Sequence, residues 1–236
     1  PAAAPHDGAH MRRALQLARR GWGQTAPNPL VGAVVVRDGE VIAEGYHARY
    51  GGPHAEAAAL AKAGARARGA DVYVTLEPCN HHGKTPPCAA ALIAAGVRRV
   101  IVAVEDPNPI AGGGAAVLRA AGIEVITGVE AEKARELNAA FLFAHTQAAR
   151  PFVTLKLALS REGALAPADR AQRWLSGEAA VREVHRLRAS ADAILVGIGT
   201  AMADDPALTV RHGRAPRVPP RRLVLDRGAT LPRNSQ

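Results

Sequence analysis

Both cysteines of the 236-residue chain lie nine positions apart, in a loop that follows a His-x-Glu motif. The motif residues are His54 and Glu56, and the cysteines are Cys79 and Cys88. Histidine nitrogen and cysteine thiolate are preferred zinc ligands, and three protein ligands leave the fourth tetrahedral position open, as in catalytic rather than structural zinc sites. The pattern therefore predicts a catalytic zinc ion bound by His54, Cys79 and Cys88.

Glu56 follows His54 by two residues, a spacing at which two side chains do not share a face of a regular helix. The two side chains converge only if the motif forms the first turn of a helix, and Pro53 immediately before it favours that position. Glu56 would there take a proton from water and pass it to a leaving amine, as the glutamate of zinc deaminases does. Both cysteines follow proline and are expected near a helix start, where the helix dipole and the metal favour the thiolate.

Two other functions remain open on these residues. The first is a zinc deaminase for another base, such as cytidine or tRNA adenosine; its signature has two residues between the cysteines, whereas eight separate Cys79 from Cys88. The second is a zinc-stabilised binding module, which needs a fourth protein ligand and gives Glu56 no role. The eight-residue insertion carries two histidines and a lysine, and an insertion beside the site is expected to select the substrate.

The composition of the chain limits its expected partners and location. The net charge of +9 would suit nucleic acid, but the arginines are scattered along predicted helices and only 3% of residues are aromatic, too few for base stacking. No stretch reaches the roughly 18 apolar residues of a membrane helix, and the first residues lack a signal-peptide core. We therefore expect a cytoplasmic protein with reduced thiols that binds neither nucleic acid nor membrane, and whose basic surface suits a phosphorylated small molecule.

The elements that must position the site alternate between helix and strand. Two β-branched runs joined by Asp38-Gly39 predict a hairpin, because glycine supplies a positive φ. Further along the chain, helices are predicted over 10–21, 54–64, 88–96, 114–122 and 131–146, and strands over 71–78, 97–106 and 123–129. This alternation predicts an α/β layer structure with a mainly parallel sheet after the hairpin.

A second unit is predicted to begin near Arg150-Pro151. It would contain a strand over 151–160, a helix over 176–189, a strand over 191–199, a loop over 200–210 and a strand over 223–226. Three strands make a thin core for an independent domain, so we expect the chain to lack the end of its second domain.

Several motifs together resemble one family. PNPLVGAVVV, HAEAAAL, TLEPCNHHGKTPPC and EDPNP, followed by VTLKLALS, ILVGIGTAMADDPALTVR and RLVLD, resemble the bifunctional riboflavin-biosynthesis deaminase–reductase of bacteria, the RibD or RibG family. The resemblance covers nearly the whole chain. It implies a cytidine-deaminase-like α/β/α zinc domain over residues 1–148, a truncated dihydrofolate-reductase-like α/β domain over 149–236, and a homo-oligomer.

The resemblance also implies activities and site residues. The first domain would deaminate a phosphorylated pyrimidine ribotide, 2,5-diamino-6-ribosylamino-4(3H)-pyrimidinone 5′-phosphate, and the second would reduce its ribosyl group with NADPH. Substrate contacts in the deaminase are implied at Asn28, His47, His81 and Lys84. In the reductase, the implied contacts are Ala158, Trp174, Thr200 and Asp204 for NADPH, and Arg188, Leu208 and Arg211 for the substrate. Since the chain stops at Gln236, before the family's glycine-rich segment, we expect no reductase activity from it.

Overall fold

The computed structural model describes residues 3–83, 85–147, 149–165 and 176–236. The chain divides into two compact units, Pro1–Phe152 and Val153–Gln236. Two residues that the family resemblance implicates, Lys84 and Trp174, lie outside the described residues.

The first unit combines helices with one sheet. In chain order its elements are α1 (Asp7–Ala18), β1 (Gly32–Arg37), β2 (Glu40–Tyr46), α2 (Ala55–Ala63), β3 (Asp71–Val74), α3 (Cys88–Ala95), β4 (Arg99–Val102), α4 (Gly114–Ala120), β5 (Glu124–Thr127), α5 (Ala131–Leu137) and α6 (Ala139–Thr146). The predicted hairpin is confirmed: β1 pairs antiparallel with β2 across Asp38 and Gly39, whose φ angles are 52° and 81°. Positive φ at both turn residues matches the right-handed twist of the flanking strands.

The strands form one sheet in the order β2-β1-β3-β4-β5. β1 is antiparallel to both neighbours, whereas β3, β4 and β5 are mutually parallel, which confirms the predicted arrangement. Because β1 opposes both β2 and β3, these two strands run in the same direction. The carboxyl ends of β2, β3 and β4 therefore meet the start of β1 at one edge of the sheet.

Helices cover both faces of this sheet, because successive side chains of a strand point to opposite faces. Val35, Val72 and Val100 pack with α2, α3 and α4 in one apolar cluster. Val34, Tyr73 and Ile101, each one position away, pack with α1, α5 and α6 in a second cluster. The result is an α/β/α sandwich in which β3 and β4 are buried on both faces.

Two predictions for the first unit need correction. The strands predicted over 71–78 and 97–106 end at Val74 and Val102, because the chain then leaves the sheet to line a cavity. The single helix predicted over 131–146 is two helices that meet at Asn138, whose backbone leaves the helical region at φ −111° and ψ 23°. Asn138 is buried and bonds to a distant loop instead of continuing a solvent-facing helix surface.

The second unit contains α7 (Glu178–Ser190), β6 (Ala193–Gly197), α8 (Ile198–Asp204) and β7 (Arg221–Leu225). β6 and β7 pair in parallel. The loop predicted over 200–210 was wrong in its first half, since α8 begins directly after β6 and ends where Asp205 adopts φ 37° before Pro206.

The strand predicted over 151–160 pairs with no strand of the described residues. Its alternating apolar side chains, Val153, Leu155, Leu157 and Leu159, are each at least half exposed. Alternation favours an extended backbone, but a strand also needs a partner for its ladder hydrogen bonds.

Within the part of the chain that the structure describes, no helix is both long and apolar enough to span a bilayer.

Candidate active site

The His-x-Glu motif forms the start of α2, as predicted. His54 is the residue before the helix, with extended backbone angles of φ −70° and ψ 161°, and Glu56 lies in the first turn. Because His54 lies outside the helix, the rule that side chains two positions apart do not share a helix face does not apply to this pair. His54 and Glu56 line the same cavity.

The side chains of His54, Cys79 and Cys88 converge. Nδ1 of His54 lies 3.5 Å from Sγ of Cys79 and 3.4 Å from Sγ of Cys88, and the three atoms lie within 4.8 Å of one another. Zinc ligands at about 2.0 Å for nitrogen and 2.3 Å for sulfur, at tetrahedral angles, would lie about 3.6 Å apart. The three side chains therefore have the donor types and separations of a three-ligand zinc site.

Cys88 is the first residue of α3, whereas Cys79 precedes the helix and faces its start. The backbone N–H of Cys88 donates to Sγ of Cys79 at 3.4 Å, and the carbonyl of Cys79 accepts from the backbone N–H of Ala89 at 3.2 Å. The N-terminal end of α3 thus stabilises a thiolate at Cys79 even though that residue is outside the helix.

The thiol pKa values move in opposite directions. A hydrogen bond from Cys88, reinforced by His54, lowers the pKa of Cys79 to about 4, while the same bond and burial raise the pKa of Cys88. A divalent cation between the ligands would reverse the shift at Cys88, because a coordinated thiol loses its proton. The site is therefore electrostatically suited to a cation.

Glu56 is only 3% exposed. Burial raises the pKa of its carboxyl group to about 7, and the Cys88 thiol is a hydrogen-bond partner. A carboxyl group with a pKa near neutrality binds and releases protons readily at physiological pH, which is the property expected of a general acid–base.

A hydrogen-bonded chain of neutral groups lies beside the ligands. Nδ1 of His47 donates to the carbonyl of Pro53 at 2.9 Å, so its Nε2 accepts from Nδ2 of Asn28 at 3.2 Å. Burial lowers the pKa of His47, which keeps the ring neutral and this assignment consistent. The Oδ1 atom of Asn28 is then oriented as an acceptor at the cavity wall.

The cavity has a volume of about 260 Å³. Among the predicted residues it is lined by Asn28, His47, His54, Glu56, Cys79 and His81, while Cys88 lies buried behind the lining. Nδ1 of His81 is buried with no hydrogen-bond partner in the described structure, so it is available to a ligand. The structure thus brings six predicted residues to one cavity at one edge of the sheet, Glu56 from the first turn of α2 and the other five from loops.

Glu77 is a cavity residue that our reading of the sequence missed. Its carboxylate accepts hydrogen bonds from the backbone N–H of Ala115 at 2.8 Å and of Asp106 at 3.1 Å. It thereby holds the loop after β4 and the start of α4 against the cysteine loop. The close approach also requires Gly114, where a Cβ atom would lie 1.8 Å from the carbonyl oxygen of Pro78. Glu77 belongs to the TLEPC motif, which was the available signal.

Two family profiles match the chain. Residues 5–104 match the cytidine and deoxycytidylate deaminase zinc-binding region, and residues 151–236 match the RibD C-terminal domain. The chain is 49% identical over 224 residues to the riboflavin biosynthesis protein RibD of Bacillus amyloliquefaciens, covering 94% of this chain and 60% of that protein. With the Escherichia coli RibD it shares 52% identity over 203 residues, covering 86% of this chain and 55% of the relative.

The chain belongs to the RibD family. Solved structures agree: Acinetobacter baumannii RibD matches with a TM-score of 0.85 and 44% identity, covering 98% of this chain and 66% of that one. A Thermotoga maritima diaminohydroxyphosphoribosylaminopyrimidine deaminase/5-amino-6-(5-phosphoribosylamino)uracil reductase matches with a TM-score of 0.86 and 43% identity. The match covers 95% of this chain and 64% of that one. The chain spans about 60% of the length of curated RibD relatives. The predicted fold class, a cytidine-deaminase-like domain followed by a dihydrofolate-reductase-like one, is confirmed.

Six of the residues predicted for the RibD C-terminal region are described, and they lie in three places. Arg188 donates to the carbonyl of Thr209 at 3.1 Å, and the backbone N–H of Arg211 donates to Nδ1 of His185 at 3.0 Å, so both arginines lie where the 208–211 segment meets α7. Leu208 is buried in the same segment. Thr200 and Asp204 lie one turn apart on α8, and Ala158 lies in the segment 151–160, which is neither helix nor strand.

Proposed function

We propose that residues 1–148 form a zinc-dependent deaminase domain and residues 149–236 the N-terminal part of an NADPH-dependent reductase domain of riboflavin biosynthesis. The deaminase would convert 2,5-diamino-6-ribosylamino-4(3H)-pyrimidinone 5′-phosphate to 5-amino-6-(5-phosphoribosylamino)uracil and ammonia. The observation that carries the proposal is the convergence of His54, Cys79 and Cys88 beside a buried Glu56, within a RibD-family chain.

In this proposal His54, Cys79 and Cys88 hold zinc, which supplies a water that is nucleophilic near neutral pH. Glu56 touches the cavity from the first turn of α2 and is not needed as a ligand. Its carboxylate takes a proton from the attacking water and delivers it to the departing amine, so that ammonia leaves as a neutral molecule. The low exposure of Glu56 keeps bulk water from this proton transfer.

The remaining cavity residues would bind the substrate. Asn28 presents its carbonyl oxygen, held by the bond from its amide nitrogen to His47, and an amide group suits the edge of a pyrimidine. His81 presents a buried nitrogen without a partner in the described structure. We assign the phosphate to Lys84, on the family resemblance and because an ammonium group binds phosphate as a point charge.

For the second unit we propose NADPH contacts at Ala158, Trp174, Thr200 and Asp204 and substrate contacts at Arg188, Leu208 and Arg211. Burial and then the nearby charge of Arg211 lower the pKa of Arg188, so an anionic group between the two arginines would be stabilised. Arginine pairs of this kind bind phosphate through directed N–H donors. A homo-oligomer in the cytoplasm, where thiols stay reduced, completes the proposal.

The deaminase is tested by offering the freshly prepared pyrimidine ribotide to zinc-loaded protein and measuring ammonia and product mass, with and without NADPH. Deamination replaces an amine by oxygen and adds about one mass unit. Ammonia release with this mass gain supports the proposal. Turnover of cytidine or of a tRNA anticodon stem, with none of the ribotide, would instead identify a deaminase of another base.

The role of Glu56 is tested by Glu56→Gln, which keeps the shape of the side chain and removes its proton transfer. We expect kcat to fall by about 10²–10⁴-fold, with zinc content unchanged. Glu132→Gln makes the same change at an exposed residue of α5 and should leave the rate unaltered. Wild-type kcat in Glu56→Gln would refute the assignment.

A further inference from the structure

Asn138 separates α5 from α6 and bonds to a residue 108 positions earlier in the chain. Its Oδ1 accepts from the backbone N–H of Leu30 at 2.8 Å, and its Nδ2 donates to the backbone carbonyl of Leu30 at 2.9 Å. Asn138 is only 5% exposed, so these bonds are shielded from bulk water. An amide side chain has the donor and acceptor of a peptide group, and it pairs here with Leu30 as a neighbouring strand would.

Leu30 belongs to the segment 25–31 that enters β1 and forms part of the cavity wall. Asn28 lies two residues before it, and Val31, the next residue, accepts a hydrogen bond from the backbone N–H of His47 at 2.9 Å. The side chains of Asn28 and His47 are themselves bonded at 3.2 Å. The two bonds from Asn138 therefore fix the segment whose position determines where Asn28 points.

Asn138 also directly precedes α6, and its backbone carbonyl accepts a hydrogen bond from the backbone N–H of Leu142 at 2.9 Å. Phe141, three residues later on that helix, lines the cavity. Both residues lie beyond residue 104, where the match to the deaminase zinc-binding region ends. The cavity wall thus includes Phe141, from a helix that lies after that region and begins directly after Asn138.

We infer that Asn138 is a positioning residue for substrate recognition, which fixes the 25–31 segment and the cavity wall on α6 without touching the metal ligands. The inference rests on the proposed deaminase function for its kinetic consequence, but its structural part can be measured without any substrate. Because the amide pairs with one backbone unit, alanine at this position would release Leu30 while leaving the helices their own hydrogen bonds.

The first test is hydrogen exchange of the zinc-loaded protein followed by mass spectrometry. Asn138→Ala should accelerate exchange in the 25–31 peptide by at least tenfold, chiefly at the Leu30 amide. The matched control is Leu137→Ala at the preceding residue, which loses packing against the α1 side of the sheet but keeps the Asn138 bonds. Unchanged exchange in Asn138→Ala, or equal acceleration in Leu137→Ala, would overturn the inference.

The second test is kinetic. Asn138→Ala should lower kcat/KM at least tenfold, mainly by raising KM, with zinc content unchanged, and Leu137→Ala should change it less than threefold. In a double-mutant cycle, adding Asn138→Ala to Asn28→Ala should cost less than twofold, because both changes remove the same contact. Fully additive costs would contradict the inference. A wild-type protein without ribotide deamination would remove the proposed function alone, since hydrogen exchange still decides the positioning role.

Discussion

Replacing Gly45 by alanine should disturb the candidate active site by pushing α2 away from the sheet. Gly45 lies on β2 beneath α2, and a Cβ atom there would lie 2.3 Å from the carbonyl oxygen of Ala55 and 2.6 Å from the backbone nitrogen of Ala59. The residue has no positive φ among those the structure records, so the cost is steric rather than conformational. Both contacts are with the backbone of α2, which cannot rotate aside as a side chain could.

The magnitude follows from these distances. An ordinary carbon contact begins near 3.4 Å, so α2 must retreat by about 1 Å from the sheet. Overpacking of this kind costs about 1–3 kcal/mol of unfolding free energy. Since α2 starts at the His54-x-Glu56 motif, the retreat also moves the proposed ligand and acid–base, and a 1 Å misplacement costs about 10²-fold in rate.

The assay combines urea unfolding, zinc content and deamination kinetics. Gly199→Ala is the matched control, because a Cβ atom there meets no atom within 4 Å and alanine favours the helix that contains it. We expect Gly45→Ala to lose stability and about 10²-fold in kcat/KM, and Gly199→Ala to retain both. If Gly45→Ala matched the wild type in unfolding free energy and kcat/KM, the packing of α2 against β2 would not position the site.

Three further predictions concern the ligands and the framework. Cys88→Ser should weaken zinc binding at least 10²-fold, measured by competition with a chelating dye, because a hydroxyl is a poor ligand where thiolate is required. A zinc affinity equal to that of the wild type would exclude Cys88 as a ligand. Stripping zinc with a chelator should lower the melting temperature, because free zinc at 100 times its Kd adds about 2.7 kcal/mol to the free energy of unfolding. An unchanged melting temperature would mean that the protein had bound no metal. Burial opposes ionisation of Asp71, but hydrogen bonds from Arg99 and Arg98 outweigh it and lower its pKa. These hydrogen bonds therefore stabilise the folded protein above about pH 4, and the stabilisation is lost as pH falls through the lowered pKa of Asp71. Asp71→Asn should lower the free energy of unfolding in urea by about 1–3 kcal/mol at pH 7 and by much less near pH 3. A loss of stability that is the same at both pH values would contradict this prediction.

Local chemistry made part of this protein predictable. Asp38 and Gly39 lie between two β-branched runs, and an Asp-Gly pair favours a two-residue turn with positive φ at both positions, so the hairpin was predictable. Pro53 before His54-x-Glu56 likewise predicted a helix start. These features depend on residues adjacent in the chain, whose preferences are nearly independent of the rest of the fold.

Contacts between distant residues decided the rest. The break at Asn138 was not predicted, because the residues around it favour one continuous helix and the reason for the break is Leu30, which is 108 positions away. The segment 151–160 shows the converse: its alternating pattern favours a strand, yet strand formation needs a partner that local sequence does not supply.

The sequence by itself determined which residues could bind zinc and transfer protons, because ligand chemistry belongs to residue types and their order. The tertiary structure decided that His54 lies 3.5 Å from Cys79 and 3.4 Å from Cys88, and that Asn28 bonds to His47 beside them. The physical reason is the sheet order β2-β1-β3-β4, which brings one end of four strands together and so makes one cavity from loops that are far apart in the chain.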